Sequence, residues 1–352
     1  MENQNQTPHK RRVRYKGKYP KKFEEKYKEL QPEKYKDTIE HVIQKGNTPA
    51  GMHISIMVKE ILDFLNIQPG ETGFDATLGY GGHTKAMLQC LNGKGHIYAT
   101  DVDPEESAKT KKRLAEQGFG EELLTVKLQN FCTIDEIAKE VGGFDFILAD
   151  LGVSSMQIDN PKRGFSFKTD GPLDLRLNQE TGISAAQRLD TISREELAGM
   201  LCENSDEPYC EELAKAITDE IRRGNRIDTT TKLRNVIEKT LSFLPDNKEK
   251  KDIVKKTCQR TFQALRIDVN NEFEVLYEFM EKLPDALRPG GRVAILTFHS
   301  GEDRLVKQAL KEGYREGIYS DYAKDVIRPS AQECAQNGRA RSTKMRWAVR
   351  AE

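Results

Sequence analysis

Short apolar runs alternate with amphipathic stretches through the first half of the chain. The pattern predicts strands at residues 73–78, 96–100, 123–128 and 144–150, separated by helices at 83–91, 105–117 and 134–141. Strands that alternate with helices at this spacing are typical of an α/β fold with a mainly parallel sheet flanked by helices. Right-handed crossovers then place the carboxyl ends of these strands along one edge of the sheet.

The alternation stops after Gly152. A loop rich in Gly, Pro, Asp and Ser covers residues 154–180, and no strand is predicted from there to about residue 260. Helical periodicity dominates instead and predicts helices at 193–203, 209–223 and 230–243. We therefore expect a mainly helical insert at 161–259.

The strand pattern returns near the carboxyl end. A long helix is predicted from Phe262 to a turn at 287–291, and strands are predicted at 292–298 and 345–349. These elements complete the sheet. The prediction is one domain made of residues 51–160 and 260–352, interrupted by the insert.

Composition narrows the class of protein. No stretch approaches the roughly 20 apolar residues that span a bilayer, and no apolar secretory core follows the amino terminus. The six cysteines form no CxxC pair and no Cys/His cluster, which favours reduced thiols over disulfides or a metal site. We expect a cytoplasmic protein with no membrane partner and no metal.

The net charge of zero conceals an uneven distribution. Residues 1–50 contain 13 Lys and Arg against seven Asp and Glu, with tyrosines interleaved, so the remainder carries a net charge of −6. We expect a flexible basic arm at 1–50. Such an arm is either a solvated tail or a phosphate-binding segment that prolongs residence on RNA.

A glycine-rich turn follows the first predicted strand, where residues 75–83 are DATLGYGGH. Glycines at such a turn let main-chain N–H groups approach a ligand, although the same glycines also suit a plain tight turn. Asp101 ends the second strand, where a carboxylate accepts hydrogen bonds from the ribose hydroxyls of a nucleoside cofactor. Together with Asp150 at the end of the fourth strand, Asp101 favours a cofactor site.

The charge around the turn bears on which nucleoside it binds. A dinucleotide site prefers G-x-G-x-x-G/A, whereas this turn is G-x-G-G-H. Asp75, just before the turn, would repel a pyrophosphate and suits the cationic amino-acid end of S-adenosyl-L-methionine. The sequence therefore favours the sulfonium cofactor over NAD.

Several long strings of sequence resemble one family. They are residues 150–157 (DLGVSSMQ), 163–167 (RGFSF), 170–176 (DGPLDLR), 260–267 (RTFQALRI), 298–300 (FHS), 302–304 (EDR) and 339–342 (RARS). The matches extend over roughly residues 53–350. They closely resemble the bacterial small-subunit rRNA cytosine-N4 methyltransferases, the MraW family.

The resemblance implies a Rossmann-like class I methyltransferase domain with an inserted helical domain that recognises RNA. It implies S-adenosyl-L-methionine as cofactor and, as substrate, the exocyclic N4 amine of a cytosine in the decoding region of 16S rRNA of the small ribosomal subunit. Carried over position by position, the family's cofactor contacts fall on Gly81, Gly82, His83, Asp101, Phe131, Asp150 and Gln157.

Two residues are candidates for catalysis. Cytosine N4 is a poor nucleophile because its lone pair is delocalised into the ring, so orientation and a nearby acceptor help the reaction. Asp150 is placed to orient the amine or the cofactor; its alternative role is to cap a loop. His299, after the last parallel strand, is the second candidate, although a lone histidine is more often structural.

Arginines and aromatic residues in the matching strings are candidates for RNA contact. Phe165 and Phe167 would either stack on a splayed base or fix their loop to the core. Seven arginines could line a phosphate path or pair with nearby acids: Arg163, Arg176, Arg260, Arg266, Arg304, Arg339 and Arg341.

Two other classes of function remain open from the sequence. One is a methyltransferase of the same fold that acts on DNA or a small molecule; the large insert and the basic arm argue against the small molecule. The other is a non-catalytic RNA-binding or ribosome-assembly protein that keeps a cofactor pocket. The oligomeric state, monomer or homodimer, is also open.

Overall fold

The computed structural model describes residues 55–352, and the predicted basic arm at 1–50 lies outside them. The strands are β1 (Thr72–Asp75), β2 (His96–Asp101), β3 (Leu124–Leu128), β4 (Phe144–Asp150), β5 (Leu287–Thr297), β6 (Tyr319–Tyr322) and β7 (Lys344–Arg350). The α-helices are α1 (Val58–Leu65), α2 (Gly82–Leu91), α3 (Pro104–Glu116), α4 (Ile134–Val141), α5 (Ser155–Asp159), α6 (Ala185–Thr191), α7 (Arg194–Ser205), α8 (Cys210–Arg222), α9 (Thr230–Thr240), α10 (Lys248–Asn270), α11 (Glu272–Ala286), α12 (Ser300–Arg315) and α13 (Ala331–Gln336).

The strands form one sheet in the order β3-β2-β1-β4-β5-β7-β6. Neighbours from β3 to β5 are parallel, whereas β7 runs antiparallel between β5 and β6. This is the order of the Rossmann-like class I methyltransferases, so the predicted fold class is confirmed. The order reverses at β1, and ligands of open α/β sheets bind beyond the strand carboxyl ends at such a switch point.

The central strand β4 is buried on both faces. Ile147 and Ala149 enter the hydrophobic cluster under α4 and α11, whereas Phe146 and Leu148 enter the cluster under α1 and α2. Alternate side chains of a strand point to opposite faces, and a parallel strand covered by helices on both sides is therefore apolar almost throughout. The buried run of β4 ends at the polar residue Asp150.

Helices α6 to α10 enclose a third hydrophobic cluster, to which Leu201, Leu213 and Leu265 belong. The helix predicted from Phe262 begins earlier, at Lys248, and is followed by the separate helix α11. The two helices meet at Asn271, which has a φ of 49°. Asparagine tolerates this left-handed conformation, which ends a helix.

Two other differences concern the strands. β5 begins at Leu287 rather than at the predicted residue 292, and the short edge strand β6 is absent from the sequence prediction. Among the described residues no helix is both long and apolar enough to cross a membrane.

Candidate active site

The glycine turn after β1 is held by the carboxylate that ends β2. The Gly79 N–H donates to Asp101 Oδ2 at 2.8 Å, and the Asp103 N–H donates to Asp101 Oδ1 at 2.9 Å. Each carboxylate oxygen can accept a further hydrogen bond, so the pair suits the two hydroxyls of a ribose. Burial raises the pKa of Asp101 to about 6.

Helix α3 supports the same turn from behind. Thr110 Oγ1 donates to the Gly79 carbonyl at 2.7 Å, and the Arg113 guanidinium donates to the Tyr80 carbonyl at 2.6 Å. Gly81 has a φ of 78°, and a Cβ there would lie 2.7 Å from Thr110 Cγ2. Only glycine therefore fits this position, because a side chain would collide with α3.

Asp75 lies beneath the turn, with only 1% of its surface exposed. Its carboxylate accepts the Thr77 N–H at 3.0 Å and the Thr84 hydroxyl at 2.6 Å. Burial raises the pKa of Asp75. The sequence interpretation placed this carboxylate against a cationic ligand; the structure shows that both of its oxygens are used to shape the turn.

Asp150 lies beside the turn, at the end of β4. Its main-chain N–H donates to Thr77 Oγ1 at 2.7 Å, and its Oδ2 lies 3.4 Å from His83 Nδ1. His83 Nε2 lies 2.9 Å from the Ile56 carbonyl, which can only accept, so Nδ1 donates to Asp150 in the doubly protonated ring. Burial alone would lower the pKa of His83, but Asp150, the Ile56 carbonyl and Asp75 together outweigh it and that pKa is raised.

The other carboxylate oxygen of Asp150 is unusual. Oδ1 is buried and has no hydrogen-bond partner within residues 55–352. Buried acceptors in proteins are nearly always satisfied, and an exception needs a physical explanation. An oxygen of this kind beside a cofactor turn is suited to accept a hydrogen bond from a bound substrate.

His299 follows β5 and begins α12. Its Nε2 lies 3.1 Å from Glu302 Oε1, and its ring meets Phe273 edge to face at 5.8 Å. Glu272, adjacent to this pair, binds the Arg266 guanidinium through both oxygens, at 2.7 and 2.8 Å. His299 Nδ1 also accepts the Glu302 N–H at 3.5 Å, which caps the start of α12. A catalytic role for His299 stays a prediction.

The loop after β4 is linked to the glycine turn through Asp103. Arg163 forms an ion pair with Asp103, and Gln157 Nε2 donates to Asp103 Oδ2 at 3.1 Å. Gln157 Oε1 accepts the Ser154 N–H in a capping box. The amide of Gln157 therefore positions the loop, and its predicted cofactor contact stays a proposal.

The structure corrects the assignment of Arg163 to RNA. This residue is only 5% exposed, and its charge is already matched by the buried Asp103. A phosphate cannot reach the guanidinium without opening the protein. Arg176 is engaged in a similar way, since two of its nitrogens bind Asp174 at 2.8 Å.

The other predicted arginines differ in exposure. Arg266 is held by Glu272, and Arg339 binds Asp159 at 2.8 Å. Arg260 is half-buried, and the side chain of Arg304 is 70% exposed, 3.8 Å from Asp206. Arg341 is exposed. Arg304 and Arg341 are thus the most accessible members of the predicted phosphate path.

The two phenylalanines of the loop pack against the third hydrophobic cluster. Phe165 is 8% exposed within the third hydrophobic cluster, and Phe167 meets Phe262 edge to face at 5.8 Å. Stacking of Phe165 on a base is therefore corrected to packing, because its ring is already covered. Phe131, in the turn after β3, is half-buried against Phe279 at 5.2 Å, and its adenine contact stays a proposal.

Four residues that shape the site are absent from the sequence prediction: Thr77, Thr84, Asp103 and Arg113. A signal existed for Asp103, since Asp followed by Pro marks the start of a helix, and Asp103 accepts the Glu105 and Glu106 N–H groups at 3.1 Å. The others have no local signature, because their partners are brought to them by the fold.

The profile of the MraW methylase family matches residues 50–351 of this chain. The chain is 86% identical over 344 residues to ribosomal RNA small subunit methyltransferase H 1 of Agathobacter rectalis, covering 98% of each chain. It is 70% identical to the protein of that name from Lachnoclostridium phytofermentans, covering 99% of this chain and 95% of the relative. A crystal structure of a SAM-dependent O-methyltransferase from Thermotoga maritima matches with a TM-score of 0.39 and 11% identity, covering 86% of this chain and 68% of the other. The fold assignment rests on the strand order.

Proposed function

The chain belongs to the MraW methylase family, and on that basis we propose that it methylates the exocyclic N4 amine of a cytosine in the decoding region of 16S rRNA. It is an S-adenosylmethionine-dependent ribosomal RNA methyltransferase. Its relatives of 86% and 70% identity are both named ribosomal RNA small subunit methyltransferase H 1. The reaction takes place in the cytoplasm, where ribosomal subunits are assembled.

The residues at the sheet edge fit the cofactor. Both oxygens of Asp101 have capacity left for ribose hydroxyls after fixing the turn. Gly81 and Gly82 lie in the turn that Asp101 holds at the same edge, and the half-buried Phe131 ring offers an apolar surface to an adenine. The cofactor, when bound, supplies a methyl group made electrophilic by a positively charged sulfur.

The observation that carries the proposal is the buried, unpaired Oδ1 of Asp150. An amine that donates an N–H to this oxygen is fixed in orientation for attack on the methyl group. His83 Nδ1 lies 3.4 Å from the other carboxylate oxygen, Oδ2, and leaves Oδ1 without a partner in the part of the chain that the structure describes. After the nitrogen gains a methyl group it carries one proton too many, and Oδ1 is the acceptor placed to remove it.

Labelled methyl transfer tests the proposed activity. The purified protein is incubated with radiolabelled S-adenosylmethionine and, separately, with naked 16S rRNA, 30S particles, DNA and small metabolites. We expect label in 16S rRNA, and nucleoside mass spectrometry should identify it as N4-methylated cytidine. Label in DNA alone, or in none of the four despite cofactor binding, would refute the proposal.

The raised pKa of Asp101 predicts a pH-dependent affinity for the cofactor product. Above the pKa of about 6 the carboxylate is ionised and accepts both ribose hydroxyls; below it, the protonated form loses acceptor capacity. Calorimetry should therefore give a dissociation constant for S-adenosylhomocysteine about tenfold higher at pH 5 than at pH 7.5.

Asp101→Asn is the control for this titration. It should bind S-adenosylhomocysteine more weakly at every pH and show no step near pH 6, because the amide does not titrate. Equal affinities of the unaltered protein at pH 5 and pH 7.5 would contradict the role given to Asp101.

A further inference from the structure

The first half of α10 presents a row of lysines to solvent. Lys248, Lys251 and Lys255 are spaced by three and four residues, which places them on one side of the helix. All three are exposed, and none forms an ion pair with a residue that the structure describes. With Lys250 and Lys256, the segment 248–256 carries five lysines against two acids.

Lysines elsewhere on the helices of the insert are paired with acids. Lys215 binds Asp219 at 3.1 Å, Lys232 binds Asp228 at 2.6 Å and Lys239 lies 3.3 Å from Glu220. An acid beside a surface lysine largely cancels the positive electrostatic potential of that lysine. The α10 lysines differ, because even Glu249 and Asp252 of the same helix make no ion pair with them.

An exposed aromatic residue precedes this helix. Phe243 ends the short turn Leu241–Phe243 and is 64% exposed, and its ring contacts Tyr209 edge to face at 6.2 Å. Lys250 Nζ donates to the Ser242 carbonyl at 3.4 Å, which brings a cation beside this turn. Proteins hold unpaired nucleotides with exposed rings, by stacking, and with cations, by phosphate contact.

Helix α10 connects this surface to the catalytic side of the protein. Its carboxyl-terminal half carries Arg266, which binds Glu272 in the cluster that fixes His299 after β5. Lys251 and Arg266 are separated by about 22 Å at 1.5 Å per residue. A nucleic acid chain that enters the site is long enough to reach both ends of the helix.

We propose that Lys248, Lys251, Lys255 and Phe243 form a docking surface for ribosomal RNA distant from the methylated cytosine. The occupant follows from charge complementarity, because a row of unpaired cations with an exposed ring matches phosphates and an unpaired base. The inference rests on the proposed function for the identity of the RNA. The surface supplies affinity and register, and the chemistry stays at Asp150.

The test replaces the three lysines together. The variant Lys248→Gln, Lys251→Gln, Lys255→Gln is compared with Lys215→Gln, Lys232→Gln, Lys239→Gln, which removes the same charge from paired positions of the insert. We measure binding of naked 16S rRNA at several salt concentrations, and KM and kcat for methyl transfer to the RNA or particle that the unaltered protein methylates.

Loss of three phosphate contacts should reduce the slope of log affinity against log salt by about 2 and weaken binding about tenfold or more at 0.1 M salt. KM should rise in parallel, with kcat and S-adenosylhomocysteine affinity unchanged, while the control variant stays within about twofold. Phe243→Ala should weaken binding about fivefold or more without changing the salt slope, since stacking involves no counterion release.

Equal affinity and slope for the triple variant and its control would overturn the docking surface. So would a defect seen with 30S particles and not with naked RNA, because the occupant would then be a ribosomal protein. Both outcomes leave the methyltransferase activity intact. If instead the unaltered protein methylates no RNA, the proposed function fails, while the binding data still decide whether this surface holds RNA.

Discussion

Replacing Asp150 with asparagine should lower kcat for RNA methylation by about 100-fold or more. The amide keeps the size of the side chain but cannot take up a proton at the position of Oδ1, and it places no carboxylate beside His83 Nδ1. The affinity for S-adenosylhomocysteine should change by less than about threefold, because Asp101 and the glycine turn retain their contacts. Single-turnover kinetics and calorimetry measure the two quantities separately.

The matched control is Asp145→Asn on the same strand. Asp145 lies at the opposite end of β4, where its Oδ2 accepts from the Thr72 N–H and from Arg288, both at 2.7 Å. This variant should lose some stability and keep kcat within about twofold, since the half-buried ion pair is remote from the site. Near-normal turnover of Asp150→Asn, with unchanged cofactor affinity, would contradict the role proposed for Asp150.

Periodicity predicted the sheet well because burial on both faces leaves an unmistakable apolar run. The bounds predicted for the fourth strand are those of β4, Phe144–Asp150. The edge strand β6 has the sequence YSDY and gives no such signal, since only Tyr319 is buried. The break at Asn271 was equally hidden, because a helical pattern continues on both sides of it.

The candidate site was predictable where the residue type and its position in an element suffice. Asp101 and Asp150 end strands, so the parallel sheet brings them to one edge whatever the details of packing. Arg163 was not predictable in this way: its partner Asp103 precedes it by 60 residues, and a surface arginine and a buried one look alike in a sequence. The family strings named Arg163 but not what it contacts.

The pair of Arg163 and Asp103 joins the loop after β4 to the end of β2. Asp103 also starts α3, and its main-chain N–H holds Asp101 Oδ1 at 2.9 Å. Burial lowers the pKa of Arg163. Both charges are removed from water, so each depends on the other. Removing one partner strands a buried charge, whereas removing both does not.

Arg163→Met should therefore lower the free energy of unfolding by about 3–5 kcal/mol. The double variant Arg163→Met, Asp103→Asn should recover at least half of that loss, because asparagine still caps α3 and no charge stays unpaired.

Urea unfolding measures the stability of both variants. It is followed by the fluorescence of Trp347, the single tryptophan of the chain, which stacks on Phe64 at 4.7 Å. Arg234→Met, which breaks the exposed pair with Glu238, should cost less than about 1 kcal/mol. If Arg163→Met lowers the free energy of unfolding no more than Arg234→Met does, the pair does not hold the loop to the glycine turn.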